Sequence, residues 1–241
     1  MAEAYQSYIV SNMPSQSSCE HTGRLVLLRH GQTVWSESGQ HTGRTNIPLT
    51  DKGCEQAKDA GMRILHAFPD GFDEDCVYAS PLRRAIQTAQ LAGFKNCQPL
   101  PAAMEWDYGG AEGRTRKDVA NLSGSEAWDV WSDGPTVLPS SMLFDGEETL
   151  PSGESVHIVR TSGESLECVY ERTGEIIDTV LPKLNAGNDV LLVAHAHILR
   201  ILTMKWLGIA PTMARMLRLD TAHYCVLGVY KGDRVIVRWN C

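Results

Sequence analysis

The sequence lacks several features that would place it in a specialised class. No apolar run among its 241 residues approaches the roughly 20 that a transmembrane helix needs. The N-terminus has no basic segment followed by an apolar one, so we expect neither a membrane span nor a secretory signal. The seven cysteines include no Cys-x-x-Cys pair. This spacing argues against a zinc site or a disulfide framework and favours reduced thiols in a cytoplasmic protein.

Positive charge is also scarce. The chain carries 22 Lys and Arg against 29 Asp and Glu, a formal net charge of −7. An acidic protein has little general attraction for nucleic acids or anionic membranes, so we expect neither as a partner. The 43% of hydrophobic residues is ordinary for a globular domain that buries a sizeable core.

The pattern along the chain indicates one domain with an extension and an insertion. Residues 1–22 are polar and without periodicity, which predicts a mobile N-terminal extension. Residues 23–241 are predicted to form a single domain. Within it, residues 134–162 are rich in Pro, Gly, Ser and acidic residues, and this composition predicts a long excursion from the surface, a candidate lid.

Short apolar strands alternate with amphipathic helices. Buried strands are predicted at residues 25–28, 76–79 and 190–194. Helices are predicted after Thr50, after Ser80 as cap with Pro81, from Ser165 to about Leu181, and from Ile198 to Gly208. A hairpin is predicted with strands at 226–230 and 235–239. This alternation predicts an α/β fold, a three-layer α/β/α sandwich with a mostly parallel central sheet.

Two of the buried strands end in histidine. Arg29 and His30 follow the apolar run "LVLL", and His195 follows "VLLVA". Ligand clefts in open α/β sheets lie at the carboxyl ends of the strands, so these groups converge if the two strands are neighbours. Arg84, near the start of a helix that also follows a strand, would join them. Such a set suits a phosphate, although the residues alone leave open whether they are ordinary surface or core side chains.

Further motifs carry a resemblance to a known family. "LVLLRHGQT" resembles the Arg-His-Gly signature of the histidine phosphatase (phosphoglycerate mutase-like) superfamily. Five segments follow in that family's order: "HTGRTNIPLTDKGCEQA" (41–57), "SPLRRAIQTA" (80–89), "EWDYGGAEG" (105–113), "GESLECVYER" (163–172) and "VAHAHILR" (193–200). The resemblance covers about residues 24–240. "EWDYG", His197 and the C-terminal hairpin are most similar to the sugar-phosphate phosphatase branch, which includes fungal sedoheptulose-1,7-bisphosphatase.

The resemblance implies a role for each polar residue of the strand ends. His30 would be the nucleophile that forms a phosphohistidine, and Arg29, Arg84 and His195 would clamp the phosphoryl oxygens. This division suits phosphoryl transfer, in which positioning and cationic stabilisation carry most of the catalysis. Glu105 would be the general acid and base. The duplicated Gly-Glu-Ser triplet leaves Glu154 and Glu164 as rivals for that role.

The resemblance also implies a substrate pocket. His41, Thr42, Tyr108 and Arg200 would line its sugar side, with Arg200 as the holder of a second phosphate. Gly31, Gln32 and Gly43 would shape the pocket. The implied reaction is metal-independent hydrolysis of a phosphomonoester of a sugar phosphate or bisphosphate, similar to sedoheptulose 1,7-bisphosphate. It needs no cofactor, its partner is a small phosphorylated substrate, and self-association of the chain is left open.

Four departures from the family pattern bear on the substrate more than on catalysis. They are Val34 for an acidic residue, Ser36 for asparagine, Ala111 for an aromatic residue and Ala196 for glycine. Two alternative functions also stay open. A cofactor-dependent phosphoglycerate mutase would use the basic residues Arg114, Arg116 and Lys117, and a non-catalytic relative would only bind phosphorylated ligands.

Overall fold

Eight strands and six α-helices are distributed over residues 22–241, the part of the chain that the computed structural model describes. The strands are β1 (Leu25–Arg29), β2 (Val77–Ala79), β3 (Gln98–Pro99), β4 (Gly146–Thr149), β5 (Ser155–Ile158), β6 (Val190–Ala194), β7 (Tyr224–Tyr230) and β8 (Asp233–Arg238). The helices are α1 (Val34–Ser38), α2 (Asp51–Ala67), α3 (Arg83–Leu91), α4 (Arg116–Ser123), α5 (Leu166–Asn185) and α6 (Ala196–Leu207). The predicted mobile extension over residues 1–22 lies, apart from residue 22, outside the described residues. None of the described helices combines the length and the apolarity that a membrane crossing requires.

Six strands form the central sheet in the order β3-β2-β6-β1-β7-β8. The pairings of β1 with β6, β6 with β2 and β2 with β3 are parallel, and those of β7 with β1 and β8 are antiparallel. This confirms the predicted α/β fold with a mostly parallel sheet. Because β1 and β6 are parallel neighbours with Arg29 opposite Ala194, the residues that follow them emerge at one edge of the sheet.

The sheet is covered on both faces, as its wholly apolar strands require. Leu25 and Leu27 of β1 belong to a core shared with α5 and α6, while Val26 and Leu28 belong to a core shared with α2 and α3. All four side chains are fully buried, and each such burial stabilises the fold by roughly 1.5–3 kcal/mol. The strand that carries the predicted nucleophile is therefore anchored from both sides.

Three predicted helix boundaries, at Thr50, Ser165 and Gly208, are confirmed, while the helix after Ser165 continues to Asn185, beyond the predicted Leu181, and the start after Ser80 differs. The hydroxyl groups of Thr50 and Ser165 accept the backbone N–H groups of the first turns of α2 and α5, and α6 ends at Gly208 with a φ of +69°. The prediction that Ser80 caps α3 was wrong. That helix begins at Arg83 without a side-chain cap, and the Ser80 hydroxyl lies 2.8 Å from His195 Nε2 and 3.4 Å from the Leu82 backbone nitrogen instead.

The segment over residues 134–162 contains a hairpin, β4–β5, that sequence analysis did not predict. Leu150, Val156 and Ile158 pack with Ile47 against the indole of Trp35 in α1. The Trp35 Nε1–H also donates to a Glu148 carboxylate oxygen over 3.0 Å. The excursion is therefore attached to the domain by a small core of its own, beside the carboxyl edge of the sheet.

Candidate active site

The predicted strand-end residues lie together at the carboxyl edge of the sheet. The ring centroids of His30 and His195 are 5.1 Å apart. The Arg84 Nε–H donates to His195 Nδ1 over 3.0 Å. Arg29 precedes His30 at the end of β1, opposite Ala194. The pairing of β1 with β6 thus brings both imidazoles and Arg29 to one place, and helix α3, which follows the neighbouring strand β2, adds Arg84.

Hydrogen bonds fix the tautomers of both histidines. His30 Nδ1 lies 2.7 Å from the Gly31 carbonyl oxygen, which can only accept, so Nδ1 carries the proton and Nε2 keeps a free lone pair. His195 Nδ1 accepts from Arg84, so in the neutral ring Nε2 carries the proton and donates to Ser80 Oγ at 2.8 Å. One imidazole therefore presents a nucleophilic nitrogen, and the other is held as a donor.

The electrostatics keep both rings neutral. Burial lowers the pKa of His30 well below its usual range, and the nearby Arg84 and Arg29 lower it further. Burial and the charge of Arg84 act in the same direction on the pKa of His195. Burial also lowers the pKa of Arg84 to about 10, which leaves the guanidinium charged at neutral pH. The site therefore combines an unprotonated nucleophile with fixed positive charge.

The two arginines differ in how much of their donor capacity is used. Arg84 is fully buried, and it donates to the carbonyl oxygens of Thr42, Gly43 and Thr45 over 2.9–3.0 Å. Arg29 donates from Nη1 to the Leu219 carbonyl oxygen, but its buried Nε–H has no partner among residues 22–241. An unsatisfied buried donor costs about 1–3 kcal/mol. Arg29 lines the cavity beside His30, so its positive charge faces an anion bound there.

Glu105 lies at the N-terminus of α6, beside these residues. Its carboxylate accepts the backbone N–H groups of Trp106, His197 and Ile198 over 2.8–3.1 Å, and the residue is 4% exposed. Arg172 donates to the carbonyl oxygens of Ala102, Met104 and Glu105. Both the carboxylate and the main chain that carries it are therefore fixed.

The two rival glutamates are engaged elsewhere. Glu164 receives both Nε and Nη2 of Arg172 and also pairs with Arg44 at 3.2 Å. Glu154 forms an ion pair with Arg83. Neither lines the cavity beside His30, whereas Glu105 does. The placement favours Glu105 over both for an acid or base role.

A cavity of about 260 Å³ opens at His30. Of the predicted site residues it is lined by Arg29, His30, His41, Thr42, Glu105 and Tyr108. The other lining residues are Trp35, Ser36, Gly39, Gln40, Arg116, Ala196 and His197. The comparison with the family pattern had already singled out Ser36, Ala196 and His197, and Arg116 had been named for the mutase alternative. Trp35, Gly39 and Gln40 had been given no role.

Aromatic edges and one ion pair form the far side of the cavity. The Tyr108 hydroxyl is hydrogen-bonded to His197 Nδ1. The His41 ring lies edge-on to Tyr108, with centroids 5.0 Å apart. Arg116 reaches the cavity from α4, with its side chain 58% exposed and paired with Asp129 at 2.8 Å. Tyr108 and His41 are buried and Arg116 is exposed, and together they offer polar groups to a substrate.

Four predicted substrate-binding residues do not line the cavity. Arg200 donates from Nε to the Ala214 carbonyl oxygen and stacks on the Trp131 ring at 4.8 Å. Five residues along a helix correspond to a rotation of about 140°, which turns Arg200 away from the face of His195. Gly31, Gln32 and Gly43 are not among the residues that line the cavity. A Cβ at Gly31 would stand 2.4 Å from the Gly53 carbonyl oxygen, so this residue serves the close approach of two segments.

Comparison with known proteins agrees with this geometry. Residues 25–241 match the histidine phosphatase superfamily (branch 1). An acid phosphatase of Mycobacterium tuberculosis is 32% identical over 211 residues, which cover 88% of this chain and 89% of that protein. The 2,3-bisphosphoglycerate-dependent phosphoglycerate mutase 2 of Lactiplantibacillus plantarum is 32% identical over 196 residues, which cover 75% and 82%.

A solved structure is similar over nearly the same span. The product of an open reading frame of Mycobacterium tuberculosis superposes with a TM-score of 0.72 at 30% identity, covering 90% of this chain and 97% of that one. The relatives include a phosphatase and mutases, so they do not distinguish the sedoheptulose-bisphosphatase branch. The prediction of a phosphoric monoester hydrolase is confirmed at the level of the family. This chain belongs to the histidine phosphatase superfamily, branch 1.

Proposed function

We propose that this protein is a metal-independent phosphatase that hydrolyses a small phosphomonoester through a phosphohistidine on His30. One observation carries the proposal: a neutral imidazole with a free Nε2 lone pair lines the same cavity as Arg29, and the buried Arg84 guanidinium lies behind it on His195. A phosphoryl group placed there meets the nucleophile and fixed positive charge together. Small phosphorylated substrates are typical of this superfamily.

The first step transfers the phosphoryl group to the enzyme. His30 Nε2 attacks phosphorus, the bond from phosphorus to the leaving oxygen breaks, and the protonated Glu105 carboxyl gives its proton to that oxygen. The negative charge on the phosphoryl oxygens faces Arg29 and the buried Arg84 behind it. The products are an alcohol, a phosphohistidine and the Glu105 carboxylate.

The second step uses the same residues in reverse. Glu105 takes a proton from water, the water oxygen attacks phosphorus, and the bond from phosphorus to Nε2 breaks. Inorganic phosphate leaves, and His30 regains its lone pair. The guanidinium groups supply the positive charge that a metal provides in other phosphatases. Among the residues that line the cavity, Glu105 is the single carboxylate, a poor set of ligands for Mg²⁺.

The lining supports a polar leaving group. His41, Thr42, Tyr108 and Arg116 offer hydroxyl, imidazole and guanidinium groups beside His30, and these suit a polyol such as a sugar. A sugar bisphosphate similar to sedoheptulose 1,7-bisphosphate fits this proposal if Arg116 receives the second phosphate. The position of Arg200 on Ala214 and Trp131 gives that role no support.

One observation favours phosphoglycerate mutase activity as the second candidate. Arg116, one of the basic residues that a mutase would use for a carboxylate, lines the cavity. A mutase returns the phosphoryl group to bound substrate, while a phosphatase passes it to water. Measurement of phosphate release beside the interconversion of 2- and 3-phosphoglycerate separates the two.

The decisive test is His30→Ala with the exposed His157→Ala as control, assayed on a panel of phosphorylated sugars with and without a chelator. We expect H30A to abolish phosphate release, and H157A and the chelator to leave it intact. Brief reaction of the wild-type enzyme with radiolabelled substrate should give acid-labile label on the protein, and H30A should give none. Turnover by H30A, or chelator inhibition reversed by added metal, contradicts the proposal.

A further inference from the structure

Glu112 is a fully buried carboxylate that the proposed reaction does not use. It follows the 3₁₀ turn Gly109–Ala111 and is not among the residues that line the cavity at His30. Its oxygens accept the Gly43 N–H at 2.8 and 3.0 Å and the Thr45 N–H at 2.9 Å. All of these donors, with the Thr45 side chain that also bonds to the carboxylate, belong to residues 43–45.

The same stretch of main chain holds Arg84 from its other side. The carbonyl oxygens of Thr42, Gly43 and Thr45 accept from the Arg84 guanidinium. The peptide unit between Thr42 and Gly43 contributes to both sets of contacts, because its N–H points to Glu112 and its C=O to Arg84. In a planar trans peptide these two groups point in opposite directions. A single peptide unit therefore connects the carboxylate to the guanidinium.

The packing leaves this segment little freedom. A Cβ at Gly43 would stand 2.6 Å from the Trp106 carbonyl oxygen and 2.8 Å from a Glu112 oxygen. The charges also agree: the negative charge of Glu112 opposes the lowering of the Arg84 pKa by burial. Burial raises the pKa of Glu112 itself to about 7, although the N–H donors and Arg84 act in the opposite direction.

We propose that Glu112 is a positioning residue, which fixes residues 42–45 so that their carbonyl groups hold the Arg84 guanidinium against His195. Loss of this support lets the guanidinium move away from His195 Nδ1 and from the phosphoryl group. The inference rests on the proposed function for its effect on turnover. Its effect on the contact between Arg84 and His195 does not depend on that function.

Glu112→Gln is the informative variant because it keeps the shape and removes one acceptor. Both carboxylate oxygens lie within hydrogen-bond distance of the Gly43 nitrogen. The amide of glutamine therefore sets an N–H₂ against the Gly43 N–H in either orientation. Glu112→Asp is the second variant, since it keeps the charge but withdraws the carboxylate by one methylene group.

Asp189→Asn provides a matched control. Asp189 is a partly buried carboxylate that also accepts a backbone N–H, that of Arg24 at 2.7 Å, and pairs with the Arg24 guanidinium. It stands at the amino ends of β1 and β6, the opposite end of the sheet from His30. D189N should lower the Tm without touching the site.

Three measurements decide the case: kcat and KM on the best phosphorylated sugar, the Kd for orthovanadate, and the imidazole ¹⁵N NMR spectrum. For E112Q we expect kcat to fall and the vanadate Kd to rise by about 10- to 100-fold, the loss typical of a displaced catalytic group, with KM changed less. The ¹⁵N resonance of His195 Nδ1 should move as its N–H donor departs. E112D should be intermediate, and D189N should leave all three as in the wild type.

The proposal is overturned if folded E112Q or E112D lowers the Tm but leaves kcat, the vanadate Kd and the His195 resonance unchanged. If the wild type hydrolyses no phosphomonoester while E112Q still moves the His195 resonance, the proposed function fails and the positioning role stands. If E112Q does not fold, the same readouts on E112D decide.

Discussion

The two ends of the cavity are built in different ways. The phosphoryl end comprises Arg29 and His30, which line the cavity, and the fully buried Arg84 and His195 behind them. The leaving-group end comprises His41, Thr42, Tyr108, Arg116 and His197. At the phosphoryl end, strands β1 and β6 lead into Arg29, His30 and His195, and helix α3 carries Arg84; main-chain groups or neighbouring site residues fix them. At the leaving-group end, loops and the helices α4 and α6 supply the residues, and the guanidinium of Arg116 is largely exposed. In the proposed reaction, the phosphoryl group thus meets the buried edge of the sheet, while the leaving group meets loop residues and an exposed arginine.

The largest expected effect on kcat comes from replacement of Arg84 at the phosphoryl end. Replacement of Arg84 by methionine removes a buried donor from both His195 and the loop 42–45, and kcat should fall by about 10²–10³-fold, as for loss of other preorganised donors. Arg83→Met is the control, because the neighbouring Arg83 pairs with Glu154 at the surface and should change kcat less than about twofold. Steady-state assays of both purified variants check this. Equal losses in the two would show that the phosphoryl end is not specially dependent on Arg84.

The phosphoryl end is also the part that the sequence predicted well. The apolar run Leu25–Leu28 and its counterpart at 190–194 predicted buried strands, and the pattern placed His30 and His195 at their carboxyl ends. The roles of these histidines and of Arg84 came from the family resemblance. The role of Ser80 escaped this reasoning. A serine before proline is typical of a helix cap, but the Ser80 hydroxyl forms a hydrogen bond with His195, which is distant in the sequence.

The leaving-group end depends on contacts that local patterns do not encode. Trp35 reaches the cavity while it packs against the hairpin β4–β5, whose strands are too short and too polar to stand out in the sequence. The resemblance implied that Arg200 lines the pocket, yet its Nε–H donates to the Ala214 carbonyl oxygen and it is not among the residues that line the cavity. Residues on strand ends can be predicted because the strand fixes their direction. The direction of a side chain on a loop depends on the residues that it contacts in the folded protein.

A smaller effect is expected on the pH at which His30 loses activity by protonation. Arg29 and Arg84 help to hold the pKa of His30 well below its usual range, next to the larger effect of burial. A raised pKa means that His30 is protonated, and its Nε2 blocked, at a higher pH. Arg29→Met should therefore move the acid limb of the kcat/KM profile to higher pH, while Arg29→Lys, which keeps the charge, should leave it near the wild-type position. The profile from pH 4 to 8 is the measurement, and a limb that stays in place in R29M would assign it to another group.

The smallest expected effect concerns the leaving-group end and compares Arg116 with Arg200. Arg116 lines the cavity but is largely exposed, so its contact with a second anionic group is worth at most about 1 kcal/mol. Arg116→Met should raise KM for a sugar bisphosphate up to about fivefold and leave KM for the matching monophosphate nearly unchanged, since the monophosphate has no second anion to lose. Arg200→Met should change neither KM, because its guanidinium is engaged by Ala214 and Trp131. The reverse outcome, with the bisphosphate KM sensitive to R200M and indifferent to R116M, would mean that substrate binding redirects Arg200 into the cavity.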